Sequence, residues 1–154
     1  MDNQSQPTAT TIKKVFSRTT SVAADINASP EVIWALLTNA ADYPKWNSTV
    51  TSIEGLIQAG GTIKLKSTLD AKRTFTLKIK DFQPSTRLAW GDAMGTRVYS
   101  LTESEPGVAH FSMVEKIGGP IFPLFSRMVP SFDASFEQFA ADLKRAAETK
   151  ASAQ

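Results

Sequence analysis

The sequence of 154 residues contains no cysteine and only one histidine, His110. Without cysteine the chain cannot form a disulfide or use thiolate chemistry, and one histidine cannot supply the several imidazole ligands of a histidine-built metal site. The absence of disulfides also fits a reducing compartment. We therefore predict a cytoplasmic protein with no cofactor and no metal ion.

An excess of charge of one sign is missing as well. The 17 basic and 15 acidic residues give a formal net charge of +2, which is too small to attract a polyanion, so we expect no nucleic-acid partner. The most apolar segment, residues 117–129, is interrupted by glycines, prolines and Arg127 and is not expected to span a membrane. The polar first residues lack the apolar core of a secretion signal, so we expect no export.

The length of the chain predicts a single domain. Residues 1–14 are polar and without period, which predicts a disordered leader before a folded domain over residues 15–150 and a flexible tail over residues 151–154. Apolar and polar residues alternate in seven segments of this domain. This alternation predicts strands over residues 19–27, 48–56, 62–68, 73–82, 86–92, 96–103 and 108–117.

Helices are predicted after the first strand and after the last. Ser29 can cap and Pro30 can start a helix over residues 30–38, and Pro44 is expected to end one further turn. Apolar side chains at helical spacing predict a long helix over residues 131–149, with a stripe formed by Phe132, Phe136, Phe139 and Leu143. This order predicts an α+β fold in which a curved seven-stranded antiparallel sheet wraps around the last helix.

Two segments carry a resemblance to a known family. Residues 26–50, INASPEVIWALLTNAADYPKWNSTV, resemble the amino-terminal signature of the START-like (SRPBCC, helix-grip) superfamily, in its polyketide cyclase/dehydrase and lipid-transport branch. Residues 136–148, FEQFAADLKRAAE, are similar to the final helix of that branch. The resemblance covers about residues 18–150 and implies a ligand-binding hollow between the sheet and the long helix. Trp34, Tyr43 and Trp46 would help two short helices to plug one end of that hollow.

Charged residues are predicted to meet at one end of the concave face of the sheet. The turns between the last three strands are expected to place Trp90 opposite Tyr99, and to place Arg97 opposite both Asp92 and Glu115. Two interpretations of this cluster are open: a structural ion network, or an Arg97 that anchors the carboxylate, enolate or phenolate of a ligand. Use of Glu115 as a general base is a further alternative.

The resemblance implies a protein that carries or senses a small hydrophobic, aromatic or lipidic molecule. A polyketide aromatase/cyclase or dehydratase in the same hollow and a protein-interaction module are the alternatives, and no catalytic residue is assigned. Three roles are open for the apolar segment from Ile121 to Val129: packing in the core, gating of the hollow, or transient contact with a membrane. Exposed apolar surface in the same region is also expected to support a homodimer. Inward strand and helix positions, together with Met128 of the apolar segment, predict the ligand-binding residues, which are Phe75, Leu77, Trp90, Arg97, Tyr99, Leu101, Phe111, Met113, Glu115, Met128, Phe132 and Phe136.

Overall fold

A computed structural model describes residues 6–153, in which eight strands form a single antiparallel sheet. The strands are β1 (Thr10–Lys13), β2 (Ser17–Ile26), β3 (Val50–Glu54), β4 (Thr62–Ser67), β5 (Asp70–Gln83), β6 (Arg87–Gly91), β7 (Gly95–Glu105) and β8 (Val108–Gly118). Their order across the sheet is β1-β2-β8-β7-β6-β5-β4-β3. The helices are α1 (Pro30–Thr38), α2 (Tyr43–Trp46), α3 (Phe122–Phe125) and α4 (Asp133–Ser152), with 3₁₀ turns at Ala40–Asp42 and Ser126–Met128.

The long helix α4 packs against the concave face of the sheet, which confirms the predicted α+β helix-grip architecture. The ring of Phe139 in α4 lies 5.7 Å from Trp46, 5.6 Å from Tyr99 and 6.5 Å from Phe111, measured between ring centroids. The four rings come from α2, β7, β8 and α4, and all are buried. Aromatic burial therefore joins the short helices, the sheet and the long helix into one core.

The number of strands was predicted as seven and is eight, because β1 forms within the segment assigned to the leader. This strand pairs with Arg18–Ser21 of β2, and the Thr11 hydroxyl bonds the hydroxyl of Thr20 at 3.0 Å and the carboxylate of Asp133. Because polar contacts hold this short edge strand, its residues do not show the alternation of apolar and polar side chains that would have predicted a strand. Residues 1–5, the first part of the predicted leader, lie outside the described residues. At the other end, α4 continues through Ser152, into the predicted tail.

The first short helix has its predicted bounds, whereas the role of Pro44 was predicted wrongly. Ser29 caps α1 by accepting a hydrogen bond from the Val32 amide at 3.3 Å, and Pro30 occupies the first turn. Pro44 was expected to stop a turn, but it lies in the first turn of α2. The first amides of a helix have no intrahelical acceptor, so proline loses nothing there.

The register between β6 and β7 differs from the predicted one by two residues. Trp90 lies opposite Arg97, and Tyr99 lies opposite Leu88. Because the shift is an even number, every side chain keeps its predicted face, and the rings of Trp90 and Tyr99 still touch with centroids 5.1 Å apart. The predicted pairing of Arg97 with Glu115 between β7 and β8 is confirmed.

Candidate functional site

A cavity of about 430 Å³ lies between the concave face of the sheet and the segment that joins β8 to α4. This volume is within the range of small-molecule sites. Strands β4, β5, β6, β7 and β8 supply one wall, and α3, the following turn and the start of α4 supply the other. Five residues predicted to contact a ligand contribute apolar surface to these walls: Phe75, Leu77, Trp90, Met128 and Phe132.

The other predicted apolar site residues lie away from the cavity. Tyr99, Leu101, Phe111, Met113 and Phe136 are buried in the core and do not line the cavity. Alternation along the strands identified their face correctly, but α4 covers that part of the face. The cavity occupies only the region that α4 leaves free near its amino end.

Several wall residues were not predicted. Thr49 immediately precedes β3 and Val50 begins it, Leu69 lies in the turn between β4 and β5, and Asp70 begins β5. The alternation within a strand predicts its inward face but not which of its ends borders the cavity, so no sequence signal placed these residues there. Phe122 and Phe125 also line it, and they belong to the apolar segment whose excess of apolar surface had indicated a role beyond a simple connection.

The polar end of the cavity is formed by an ion pair between Arg97 and Glu115. The Arg97 Nε donates to Glu115 Oε1 at 2.8 Å, and the side chains are only 11% and 19% exposed. Arg97 Nη1 donates a long hydrogen bond of 3.4 Å to the Tyr99 hydroxyl. The guanidinium also lies 4.9 Å from the centroid of the Phe136 ring, which supports it by a cation–π contact.

This arrangement holds the protons of Arg97 and Tyr99 in place. Burial lowers the pKa of Arg97, but the Glu115 carboxylate and the Tyr99 hydroxyl outweigh it, so the pKa is raised above its ordinary value. Burial raises the pKa of Tyr99 to about 12, against the opposing effect of Arg97. Arg97 is therefore always charged and Tyr99 neutral near pH 7, so these two groups can offer hydrogen bonds but do not exchange protons.

Asp92 is not a member of the ion pair, contrary to the predicted cluster of three charges. It lies in the turn between β6 and β7, where its Oδ1 accepts the amides of Met94 at 2.8 Å and Gly95 at 3.1 Å. The predicted pairing centred the turn between Met94 and Gly95, whereas the observed pairing of Gly91 with Thr96 centres it between Ala93 and Met94, and this displacement by one residue changes the register by two. Arg73, on β5 of the same sheet wall, stacks on Phe75 with its guanidinium carbon 4.6 Å from the ring centroid.

The segment of residues 119–130, here called the capping segment, covers one side of the cavity. Arg18 of β2 holds its carboxyl end, donating to the carbonyls of Val129 at 3.2 Å and Pro130 at 2.6 Å. Arg18 is itself buried, with its guanidinium carbon 5.1 Å from the Phe132 ring centroid. Phe122 points into the protein, whereas Leu124 is 85% exposed.

Two negative findings apply to residues 6–153. No group of three or more aspartate, glutamate or histidine side chains is placed so that it could hold a metal ion. In this part of the chain no helix combines the length and the apolar character needed to cross a membrane.

The sheet, the enclosed helix and the cavity between them define a START-like helix-grip protein. A family model described as polyketide cyclase / dehydrase and lipid transport matches residues 17–148. Because this match spans most of the sequence, the chain belongs to that family. No curated protein sequence matches the chain.

Solved structures with the same fold include proteins of different descriptions. A conserved protein of unknown function from Enterococcus faecalis matches with a TM-score of 0.68 and 19% identity, over 92% of this chain and 78% of that one. A START superfamily protein from Mycobacterium smegmatis matches with a TM-score of 0.58 and 13% identity, over 88% and 97%. The di-domain ARO/CYC StfQ of the steffimycin biosynthetic pathway matches with a TM-score of 0.62 and 11% identity, over 84% of this chain and 44% of that one. Identities this low show a shared fold only.

Proposed function

We propose that the protein carries or senses a small hydrophobic ligand, which it binds in the cavity with the polar end of the ligand toward Arg97 and Glu115. The observation that supports this proposal is the cavity itself. Protein interiors are normally close-packed, and voids larger than a water molecule are few. Here about 430 Å³ stays open beside the packed rings of Trp90, Tyr99 and Phe139. Mostly apolar walls with a few polar groups at one end are typical of ligand sites.

Calorimetric titration with 2-acetylnaphthalene, an uncharged aromatic probe, tests this proposal. We expect binding with a negative heat-capacity change, because the apolar probe leaves water for the cavity. Leu77→Trp should fill part of the cavity and weaken binding by about tenfold or more. Leu56→Trp is the matched control, since Leu56 is exposed and does not line the cavity. Absence of binding to the wild type, or equal binding by both variants and the wild type, would refute the proposal.

A second candidate function is a cyclase or dehydratase reaction in the same cavity. It is favoured by Glu115, whose Oε2 has no hydrogen-bond partner among residues 6–153 and could accept a proton from a bound chain. Incubation with a short poly-β-ketone thioester, followed by mass spectrometry, separates the candidates. Cyclised or dehydrated product that disappears with Glu115→Gln supports catalysis, whereas intact substrate retained by the protein supports carriage alone.

We also propose that ligand exchange takes place at a membrane surface through the capping segment. Leu124 and Met128 are 85% and 82% exposed. Phe16, also exposed, joins the same surface, because its carbonyl accepts the Gly119 amide at 3.0 Å. Exposed apolar side chains beside a cavity mouth are suited to transient insertion between lipids.

Vesicle sedimentation tests this contact. Wild-type protein should sediment with vesicles of phosphatidylcholine and phosphatidylglycerol, and a Leu124→Ser/Met128→Ser variant should sediment several-fold less. Leu56→Ser is the control, because it removes a leucine that is 71% exposed and does not belong to the capping segment. If the double variant sediments as much as the Leu56→Ser control, the capping segment does not contact the membrane. If the wild type forms a concentration-dependent dimer that the double substitution abolishes, this surface is a dimer interface instead.

A further inference from the structure

We propose that the polar end of the cavity selects uncharged ligands bearing a hydroxyl or carbonyl group and rejects carboxylates, because Glu115 already neutralises Arg97. This inference rests on the proposed binding function and specifies its ligand class. It also replaces the expectation that Arg97 anchors an anionic ligand. That expectation treated the arginine as an available charge, whereas its Nε is bonded to Glu115 Oε1 at 2.8 Å.

The balance of charge on the cavity walls disfavours an anion. The walls carry two guanidinium groups, Arg73 and Arg97, against three carboxylates, Asp70, Asp92 and Glu115. A carboxylate ligand beside Arg97 would also lie beside Glu115, and it would lose its hydration without gaining an unpaired positive charge at that end. Arg73 is exposed and stacks on Phe75, so its hydrated charge would stabilise a carboxylate only weakly.

Two further cations approach this region without lining the cavity. Lys80 Nζ bonds the Asp92 carbonyl at 3.4 Å and the Thr96 hydroxyl at 2.8 Å from outside the cavity. Arg18 is directed to the carbonyls of the capping segment. Neither therefore adds an available positive charge to the polar end.

The ion pair nevertheless keeps a donor and an acceptor for a ligand. Glu115 Oε2 and Arg97 Nη2 have no hydrogen-bond partner among residues 6–153, and neither belongs to the fully buried unsatisfied atoms of that range. Both atoms therefore retain open surface, and both side chains line the cavity. A ligand hydroxyl can donate to Glu115 and accept from Arg97, whereas a ketone can only accept from Arg97. This geometry predicts the order hydroxyl, then ketone, then carboxylate.

A matched series of naphthalene probes tests the order by calorimetry near neutral pH. The probes are 2-naphthol, 2-acetylnaphthalene, 2-naphthoate and the cationic 2-naphthylmethylammonium. Wild-type protein should bind 2-naphthol at least about tenfold more tightly than 2-naphthoate. Glu115→Gln should reverse this preference, because it leaves the Arg97 charge unbalanced and removes an anionic neighbour. Glu103→Gln, at an exposed position on the same strand pair, should leave all affinities unchanged.

The outcomes of these titrations distinguish failure of the proposed function from failure of the proposed ligand class. Failure of every probe to bind the wild type overturns the proposed function and this inference together. Binding of 2-acetylnaphthalene with tighter binding of 2-naphthoate or of the ammonium probe than of 2-naphthol overturns only the ligand class.

A double variant covers the case in which Glu115→Gln does not fold. Arg97→Met/Glu115→Leu removes both charges, and apolar replacement of a whole buried ion pair is usually tolerated. It should bind 2-methylnaphthalene as the wild type does, while 2-naphthol loses its advantage over that probe. An undiminished advantage for 2-naphthol in the double variant overturns the inference.

Discussion

The Asp142 carboxylate attaches the long helix to one wall of the cavity, and its removal should destabilise the protein. Asp142 is buried in α4, and its Oδ2 accepts the Ser48 amide at 2.8 Å and the Ser48 hydroxyl at 2.7 Å. The next residues, Thr49 and Val50, line the cavity, and Asn47 Oδ1 accepts both of their amides, at 3.0 and 2.8 Å. Substitution of Asp142 by alanine therefore releases the start of a cavity wall.

The expected loss of stability depends on which of the hydrogen-bond donors to Asp142 can bond to water instead. Gln138 and Arg145, which also bond Asp142, are exposed and lose little. The Ser48 amide is fixed in the backbone and loses a hydrogen bond to a charged acceptor, worth about 1.5–3 kcal/mol. The greater helix propensity of alanine returns about 0.5 kcal/mol. We expect Asp142→Ala to lower the free energy of unfolding by about 1–2.5 kcal/mol and Asp142→Asn, which keeps one acceptor oxygen, by about half as much.

Urea denaturation followed by tryptophan fluorescence measures this loss. The three tryptophans of the chain report on unfolding, and a loss of about 1–2.5 kcal/mol corresponds to a fall in Tm of about 2–10 °C for a protein of this size. Gln138→Ala is the control and should change stability by less than about 0.5 kcal/mol. An Asp142→Ala protein within about 0.5 kcal/mol of the wild type would refute the reasoning, as would a Gln138→Ala protein equally destabilised.

Three further predictions concern the core and the turn beside the cavity. Because the pKa of Tyr99 is raised from 10.0 to about 12, its neutral hydroxyl contributes to the free energy of unfolding below pH 10, and about 2.7 kcal/mol of this is lost as the pH rises from 10 through 12; Tyr99→Phe should reduce this loss in urea titrations. Phe139→Ala should cost about 3–5 kcal/mol in the same assay, and an equal effect of the exposed Leu124→Ala would contradict it. Gly91→Ala should lower Tm by several degrees in calorimetry, because a Cβ there would lie 2.3 Å from the Gly95 carbonyl oxygen; an unchanged Tm would show that the turn can move.

Seven of the eight strands, the long helix and the inward face of each predicted strand could be derived from the sequence. The alternation of Phe75, Leu77 and Ile79 with polar residues requires one face to be buried, whatever its partner. The pairing of Arg97 with Glu115 across a short turn could be derived in the same way. The edge strand β1 was missed because Thr11 is held by hydrogen bonds to Thr20 and Asp133, not by an apolar pattern.

The sequence by itself thus determined which side chains face inward, because that depends on the backbone geometry of each strand. Only the tertiary structure decided which inward residues meet α4 and which meet open space. Tyr99 and Trp90 have the same inward direction, yet Tyr99 lies in the packed core and Trp90 lines the cavity. The difference depends on where α4 begins on the sheet and on how Arg18 holds the capping segment. Both are contacts between residues far apart in the chain, and a local pattern contains no information about them.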